Sequence, residues 1–324
     1  MNLQLRGQVG NTTLQIPILG LGGSALGGLR SEQLVSDIDA DAAYRAAWAS
    51  DIRYFDTAPL YGAGLGEQRL GKLLQDHPRD TFVLSTKVGM YGWPATQFDY
   101  SYDATLRSID ESLKRLGVDH LDLVFIHDID PYTHGPHEWK IRFEEAMNGA
   151  YSALSKLKSD GVLSAIGVGV NSCEICVSCM RAADFDVFML AGRYTLLDQS
   201  AQEELLLLCK RNKVSIILAA PFNSGILASG SSVDARYNEA TVTPDILQKV
   251  RKIEMICNDF DISLGAAALQ FPFSHPSVVT VIPGPRSSKQ ISCVHRWFEE
   301  SIPLDFWLAL KQERLLTTNT LITE

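Results

Sequence analysis

The sequence lacks most features that would place it outside an aqueous cell interior. No segment approaches 18 consecutive apolar residues, so no membrane span is expected. The opening residues, MNLQLRGQVGN, have neither an apolar core nor a cleavage site, so no secretory signal is read and the expected compartment is the cytoplasm. There is no Lys/Arg run, and the formal net charge is −9 over 324 residues. Nucleic-acid binders more often carry a basic stripe, so no nucleic-acid partner is expected and the acidic balance reads as solubility. Low-complexity stretches and linkers are also missing, and the expectation is one domain over residues 1–324. Cysteine is scarce. Three of the six, Cys173, Cys176 and Cys179, are spaced C-x-x-C-x-x-C. They lie in SCEICVSCMRAA, which reads as one helix. That spreads the sulfurs along a face, whereas a metal site needs a loop that turns back and a further ligand. They are read as small apolar residues, with no metal expected.

What is present is an alternation. Short apolar, β-branched runs fall at 18–23, 52–55, 81–87, 121–127, 163–170, 186–190, 214–220 and 277–283. Near-continuous apolar strands are expected where both faces of a parallel sheet are buried. Helix-length segments separate them. Residues 104–117 carry an apolar stripe at 106, 109, 113 and 116 and end at Gly117; 148–161 ends at Gly161; 200–212 opens with Ser200 and Glu203, a capping-box pattern. Eight strand–helix units without a linker predict an α/β fold, a (β/α)8 TIM barrel. The N-terminal residues, with a Gly10-Asn11 turn signal, predict a β-hairpin closing the barrel bottom.

In such a barrel, chemistry sits at the C-terminal strand ends. Asp56 ends the second run and Tyr61 follows in a loop with Pro59, Gly62, Gly64 and Gly66. Lys87 ends the third run, His127 and Asp128 the fourth, and Asn171 follows the fifth. Any one of these alone is an ordinary strand exit, but together they put ionisable groups at one rim on three consecutive strands. A phenol titrates near pH 10 and is a weak acid or base at neutrality. A nearby ammonium favours the phenolate, a carboxylate beside the ammonium keeps it charged, and a neutral imidazole donates to a carbonyl oxygen. Such a set moves one proton on or off an oxygen. With no nucleophile or metal cluster in the pattern, the natural companion is hydride transfer through a cofactor.

These residues resemble the aldo-keto reductase family. FDTAPLYGAGLGEQRLG, LSTKVG, DLVFIHD, AIGVGVN and VIPGPRSSKQI are similar to its motifs over nearly the whole chain. The resemblance implies a catalytic tetrad of Asp56, Tyr61, Lys87 and His127, with Tyr61 exchanging the proton and Asp56 holding Lys87. It implies a nicotinamide cofactor lying over the barrel top without a Rossmann fold. GLGGSALGG (20–28) is therefore read as a close backbone approach near the nicotinamide, at Gly22, and not as a dinucleotide fingerprint. Cofactor contacts are expected from Asp56 and Asn171, from the loop of Pro221, Phe222, Asn223, Ser224, Gly225 and Leu227 against the pyrophosphate, and from Pro283, Gly284, Arg286 and Gln290 at the adenosine end.

The chain also departs from the family pattern. Ala191 stands where many members have Gln, Ala219 or Ala220 where many have a stacking Tyr, and Val294 where Asn is usual. Gly284 and Gln290 stand where many have a Lys and an Arg for a 2′-phosphate, which inclines the expectation to NAD over NADP. The motif combination is similar to a branch of D-threo-aldose (L-fucose) and pyridoxal 4-dehydrogenases. That implies oxidation of a sugar or pyridoxal hemiacetal to a lactone, with Tyr61 and His127 at the substrate and Tyr91, Trp93 and Tyr132 as its walls. The alternatives are an NADPH-dependent aldehyde or ketone reductase and a cofactor-binding, redox-sensing subunit. Oligomeric state is not readable from the sequence.

Overall fold

The computed structural model describes residues 1–28, 34–92, 96–232, 234–317 and 320. Eight parallel strands form one sheet: β1 (Leu21–Gly22), β2 (Tyr54–Asp56), β3 (Val83–Val88), β4 (Leu123–His127), β5 (Ala165–Val170), β6 (Val187–Ala191), β7 (Ser215–Ala219) and β8 (Val278–Ile282). Each pairs with its sequence neighbour, and a parallel bridge of Leu19 to Val281 closes β1 onto β8. The Gly20 and Gly22 amides donate to the Val281 and Pro283 carbonyls across that seam. The arrangement is the predicted (β/α)8 barrel, with every strand at one of the eight apolar runs.

Side-chain alternation sorts each strand into two layers. Inward positions, among them Tyr54, Val83, Leu123, Phe125, Ala165, Val187, Met189 and Ile217, pack into one interior cluster. Outward positions such as Phe55, Leu84, Val124, Ile126, Ile166 and Val168 join the larger cluster under the helices. The predicted N-terminal hairpin, Arg6–Gln8 paired with Gln15–Pro17, sends Val9 and Ile16 into the interior cluster. The Gly10 amide, at φ 53°, donates to the Ser215 hydroxyl at the start of β7, so the hairpin plugs the strand N-terminal ends. The top remains for chemistry.

The helices follow the sequence with two exceptions. Residues 102–116 form α3 (after α1, Asp37–Ala49, and α2, Leu65–Leu74), capped by the Ser101 hydroxyl and ended by Gly117 at φ 68°. The predicted 148–161 helix divides at Gly149 between α4 (Pro131–Asn148) and α5 (Ala150–Ser159). Cys173–Ala182 is one helix, α6, as expected, with Cys176 and Cys179 buried. The capping box at Ser200 and Glu203 is not formed. Ser200 and Gln202 lie in a 3₁₀ turn, the Ser200 hydroxyl donates to Asp198, and α7 starts only at Leu205. The Glu203 amide donates to the Ser200 carbonyl in that turn instead of to the hydroxyl. Among the described residues no helix is long and apolar enough to cross a membrane.

Candidate active site

The innermost polar contacts follow from strand parity. Asp56, Lys87 and His127 are the last inward residues of β2, β3 and β4, so three adjacent strands deliver them side by side. The Lys87 ammonium donates to Asp56 Oδ2 at 2.6 Å and to the Thr57 carbonyl at 2.9 Å. Ser85, one inward step below Lys87, donates to Asp56 Oδ1 at 2.7 Å, and the Tyr54 hydroxyl lies 3.0 Å from the Ser85 hydroxyl. Both carboxylate oxygens are thus held. Room for the long Lys87 stem comes from Gly169 opposite, where an added Cβ would stand 3.7 Å from Lys87 Cε.

Tyr61 enters from the loop after β2. Its ring stands 4.8 Å from the Lys87 ammonium and 5.8 Å from the His127 ring, edge-on at 84°. The glycines around it permit close packing. A Cβ at Gly27 would meet Tyr61 Cβ at 2.6 Å, and the Gly23 amide donates to the Asp56 carbonyl at 2.8 Å. The glycine-rich segment at 20–28 was expected to approach the nicotinamide. Gly23 and Gly27 let this loop lie on the Asp56 and Tyr61 segment, while the Gly20 and Gly22 amides bond across the seam to Val281 and Pro283.

Electrostatics in this buried set are a contest between desolvation and pairing. Burial works against the Lys87 charge, but Asp56 and Tyr61 outweigh it and the net shift is upward, so Lys87 stays an ammonium. Burial raises the Asp56 carboxyl, and Lys87 and Ser85 pull it back. For Tyr61 burial is again the largest effect and the phenol rises. Lys87 opposes that rise, as the sequence suggested, without reversing it. The expectation of a phenol lowered outright by Lys87 is corrected in this respect, because Tyr61 is 8% exposed and a phenolate there is poorly solvated.

The remaining predicted residues divide. Asn171 is brought in: its Nδ2 donates to Asp128 Oδ1 at 3.2 Å, its amide to Asp130 at 2.7 Å, and its carbonyl accepts from Arg193 at 2.8 Å. In the loop after β7, the Asn223, Gly225 and Leu227 amides donate to the Ala220 and Phe222 carbonyls. Asn223 bonds through its side chain to Thr195 and Gly192, and Leu227 is in the core. Those three amides are spent inside the turn and do not present themselves to phosphate. Pro221 is buried and Phe222 packs edge-on against Trp297. Ser224, at φ 62°, accepts from the Glu239 amide, and a Cβ at Gly225 would meet nothing. Gln290 accepts from the Arg286 amide and so caps its own loop.

Among the expected substrate walls, Tyr91 is half-buried. Its hydroxyl donates to the Asp99 carbonyl, whereas its neighbour Met90 packs with Tyr61, Ala58 and Leu60, flanked by Phe98. One step of strand alternation separates the two. Tyr132 is half-exposed and its hydroxyl donates to Glu239 at 3.4 Å. Trp93 lies outside the described residues. Ser85, Met90 and Phe98 were not singled out from the sequence, and Asp128 was named only as the residue that follows His127. Parity along LSTK and the juxtaposition of His127 and Asp128 were the available signals.

The other half of the rim is built from mostly small residues, a candidate trough. From β6 round to β1 the last inward residues are Ala191, Ala219, Ile282 and Gly22, followed by Gly192, Ala220 and Gly284. A Cβ on Gly284 would stand 3.7 Å from the Gly22 carbonyl. Apart from Ile282 the side chains here are small and uncharged, so the residues present fit a flat nicotinamide ring.

A barrel whose second, third and fourth strands deliver this Asp, Lys and His beside a loop Tyr belongs to a known class of oxidoreductase. The chain is a member of the aldo/keto reductase family, which it matches over residues 18–312. It is 38% identical to a pyridoxal 4-dehydrogenase of Microbacterium luteolum, over 95% of this chain and 97% of that one. It is 37% identical to a D-threo-aldose 1-dehydrogenase of a Pseudomonas species, over 94% and 96%. The solved holo form of an aldo-keto reductase from Bacillus halodurans superposes with a TM-score of 0.78 at 22% identity, over 98% of this chain and 97% of that one. Family membership implies a nicotinamide cofactor, NAD or NADP.

Proposed function

We propose that the protein is a dehydrogenase that oxidises a cyclic hemiacetal, of an aldose or of pyridoxal, to a lactone. The observation that carries this reading is the Lys87–Asp56 pair beside Tyr61, a proton-moving set with no nucleophile built into it. The two relatives at 37–38% identity support the substrate class. When bound, the cofactor supplies the hydride acceptor. The protein's own contribution is proton handling and orientation. Tyr61 takes the hydroxyl proton, Lys87 stabilises the phenolate, and Asp56, pinned by Ser85, keeps Lys87 in place. His127 orients the reacting oxygen. Asn171 and the trough at Gly22, Ala191 and Ala219 hold the ring that accepts hydride, with Pro283, Gly284 and the exposed Arg286 toward the adenosine.

NAD is the favoured cofactor. No side-chain cation stands at Gly284 or Gln290, and Gln290 is turned back onto the Arg286 amide. The test mixes the protein with NAD⁺ or NADP⁺ and L-fucose, D-arabinose, L-galactose or pyridoxal, and follows the absorbance of reduced nicotinamide. Turnover with NAD⁺ that disappears in Tyr61→Phe is the expected result. Consumption of NADPH by simple aldehydes, with no oxidation in any mixture, would make it a reductase instead. Cofactor binding without turnover in either direction would make it a sensor.

A further inference from the structure

Beside the tetrad stands a second buried carboxylate. Asp128 follows β4 and is 8% exposed. Its φ is 46°, in the left-handed region that non-glycine residues occupy at a cost and that Asp and Asn tolerate best. The surroundings fix it there. Its amide donates to the Gly169 carbonyl at 2.8 Å, and its own carbonyl meets the Tyr100 hydroxyl at 3.3 Å and His134 Nε2 at 2.8 Å. Backbone strain held this firmly points to a function for the side chain it aims.

That side chain reaches in two directions. Oδ2 is 3.6 Å from His127 Nε2, and Oδ1 accepts from Asn171 Nδ2 at 3.2 Å. We propose that Asp128 is a positioning residue for both sides of the reaction centre, one oxygen setting His127 and the other setting Asn171. The proposal rests on the reading of His127 as the substrate-side donor and Asn171 as the cofactor-side amide. An ionised carboxylate only accepts hydrogen bonds. At 3.6 Å from Nε2 it acts on His127 through its charge, not through a hydrogen bond, and it stabilises the imidazolium. As an acceptor it draws the Asn171 NH₂ toward itself, which turns the Asn171 side-chain oxygen outward as an acceptor for a carboxamide. The Asn171 backbone is already tied by Asp130 and Arg193, so Asp128 decides only the flip of the amide.

Other groups also face His127. Tyr61 meets the ring edge-on, Lys87 lies behind Tyr61 on its pair with Asp56, and Tyr100 donates to the His127 carbonyl at 2.8 Å. His134 contacts the backbone of Asp128 and stacks edge-on against Phe98.

Asp128→Asn is the informative variant, because Asn keeps the shape and tolerates the left-handed backbone. Its amide supplies one acceptor where the carboxylate supplied two. In protein without cofactor, labelled histidine is followed by NMR against pH, with the His127 signal assigned by its loss in His127→Gln. The expected result is a His127 midpoint lower by about one unit or more in Asp128→Asn, since removing an opposite charge disfavours the charged form. An unmoved midpoint overturns the His127 arm. Cofactor affinity is then measured by fluorescence quenching for Asp128→Asn, Asn171→Ala and the double variant. The expected losses are about tenfold each and not additive, the double variant matching Asn171→Ala. Additive losses overturn the Asn171 arm. Asn171→Ala leaves the Asp128 backbone untouched, so that arm stays testable should Asp128→Asn unfold. A wild-type protein that binds neither NAD⁺ nor NADP⁺ would sink the dehydrogenase reading itself and with it the Asn171 arm. The His127 titration is independent of that outcome.

Discussion

The two halves of the barrel rim are built to opposite rules. From β2 to β5 the top positions carry Asp56, Lys87, His127 and, just beyond, Asn171, with Ser85 and Asp128 holding them. From β6 round to β1 they carry Ala191, Ala219, Ile282 and Gly22. The polar half buries charge, which is costly unless every charged group has a partner, and here the partners lie on neighbouring strands. The other half carries mostly small, uncharged side chains at its top. Reactive groups need neighbours to set their protonation state, whereas a ring-shaped cofactor needs their absence.

Breaking the polar half should have the larger effects. Tyr61→Phe is expected to lower kcat by about 10²–10⁴-fold with folding intact, read from steady-state rates and thermal unfolding. Because burial raises the Tyr61 phenol, oxidation by the wild type should speed up as pH rises above neutrality. Lys87→Met should push that rise to still higher pH, since the ammonium is the group that opposes the upward shift. A pH profile of kcat that is flat from neutral to alkaline would contradict the assignment. Lys87→Met also leaves Asp56 buried without its cation and should cost about 3–5 kcal/mol of stability by denaturant unfolding. Adding Asp56→Leu should recover much of that stability and none of the activity.

Filling the small-residue half should act on binding alone. Ala191→Leu projects from the top of β6 into the trough and should weaken cofactor binding by about tenfold, or about 1.4 kcal/mol, with little change in unfolding. Unchanged affinity would remove the trough from the cofactor site. The smallest effect lies away from the rim. His275 Nδ1 accepts from the Ser277 amide at 3.2 Å, which requires a neutral ring, and burial lowers its pKa to about 4, with Lys210 adding to the effect. Between about pH 6.5 and 4 the unfolded chain therefore binds the extra proton, and stability should fall as pH drops through that window. Allowing for partial solvation, the loss is on the order of 1–2 kcal/mol. Acid unfolding of His275→Gln should show a shallower slope there.

The sequence by itself determined the strands, their order and the strand-end positions of Asp56, Lys87 and His127. Each buried parallel strand announces itself as a β-branched run, and a lone ionisable residue at the end of such a run has to emerge at the barrel top. That is why Asp56, Lys87 and His127 were legible without coordinates. Only the tertiary structure decided which neighbours complete the site. Met90 and not Tyr91 lies against Tyr61, because alternation puts adjacent residues on opposite faces. The loop after β7 spends three amides on its own turn, a matter of backbone hydrogen bonding that residue type does not record. The rise of the Tyr61 phenol depends on how completely folding removes water from it, and the joint hold of Asp128 on His127 and Asn171 depends on two strands meeting in register. Local pattern specifies each element, whereas desolvation and contacts between strands exist only once the barrel has closed.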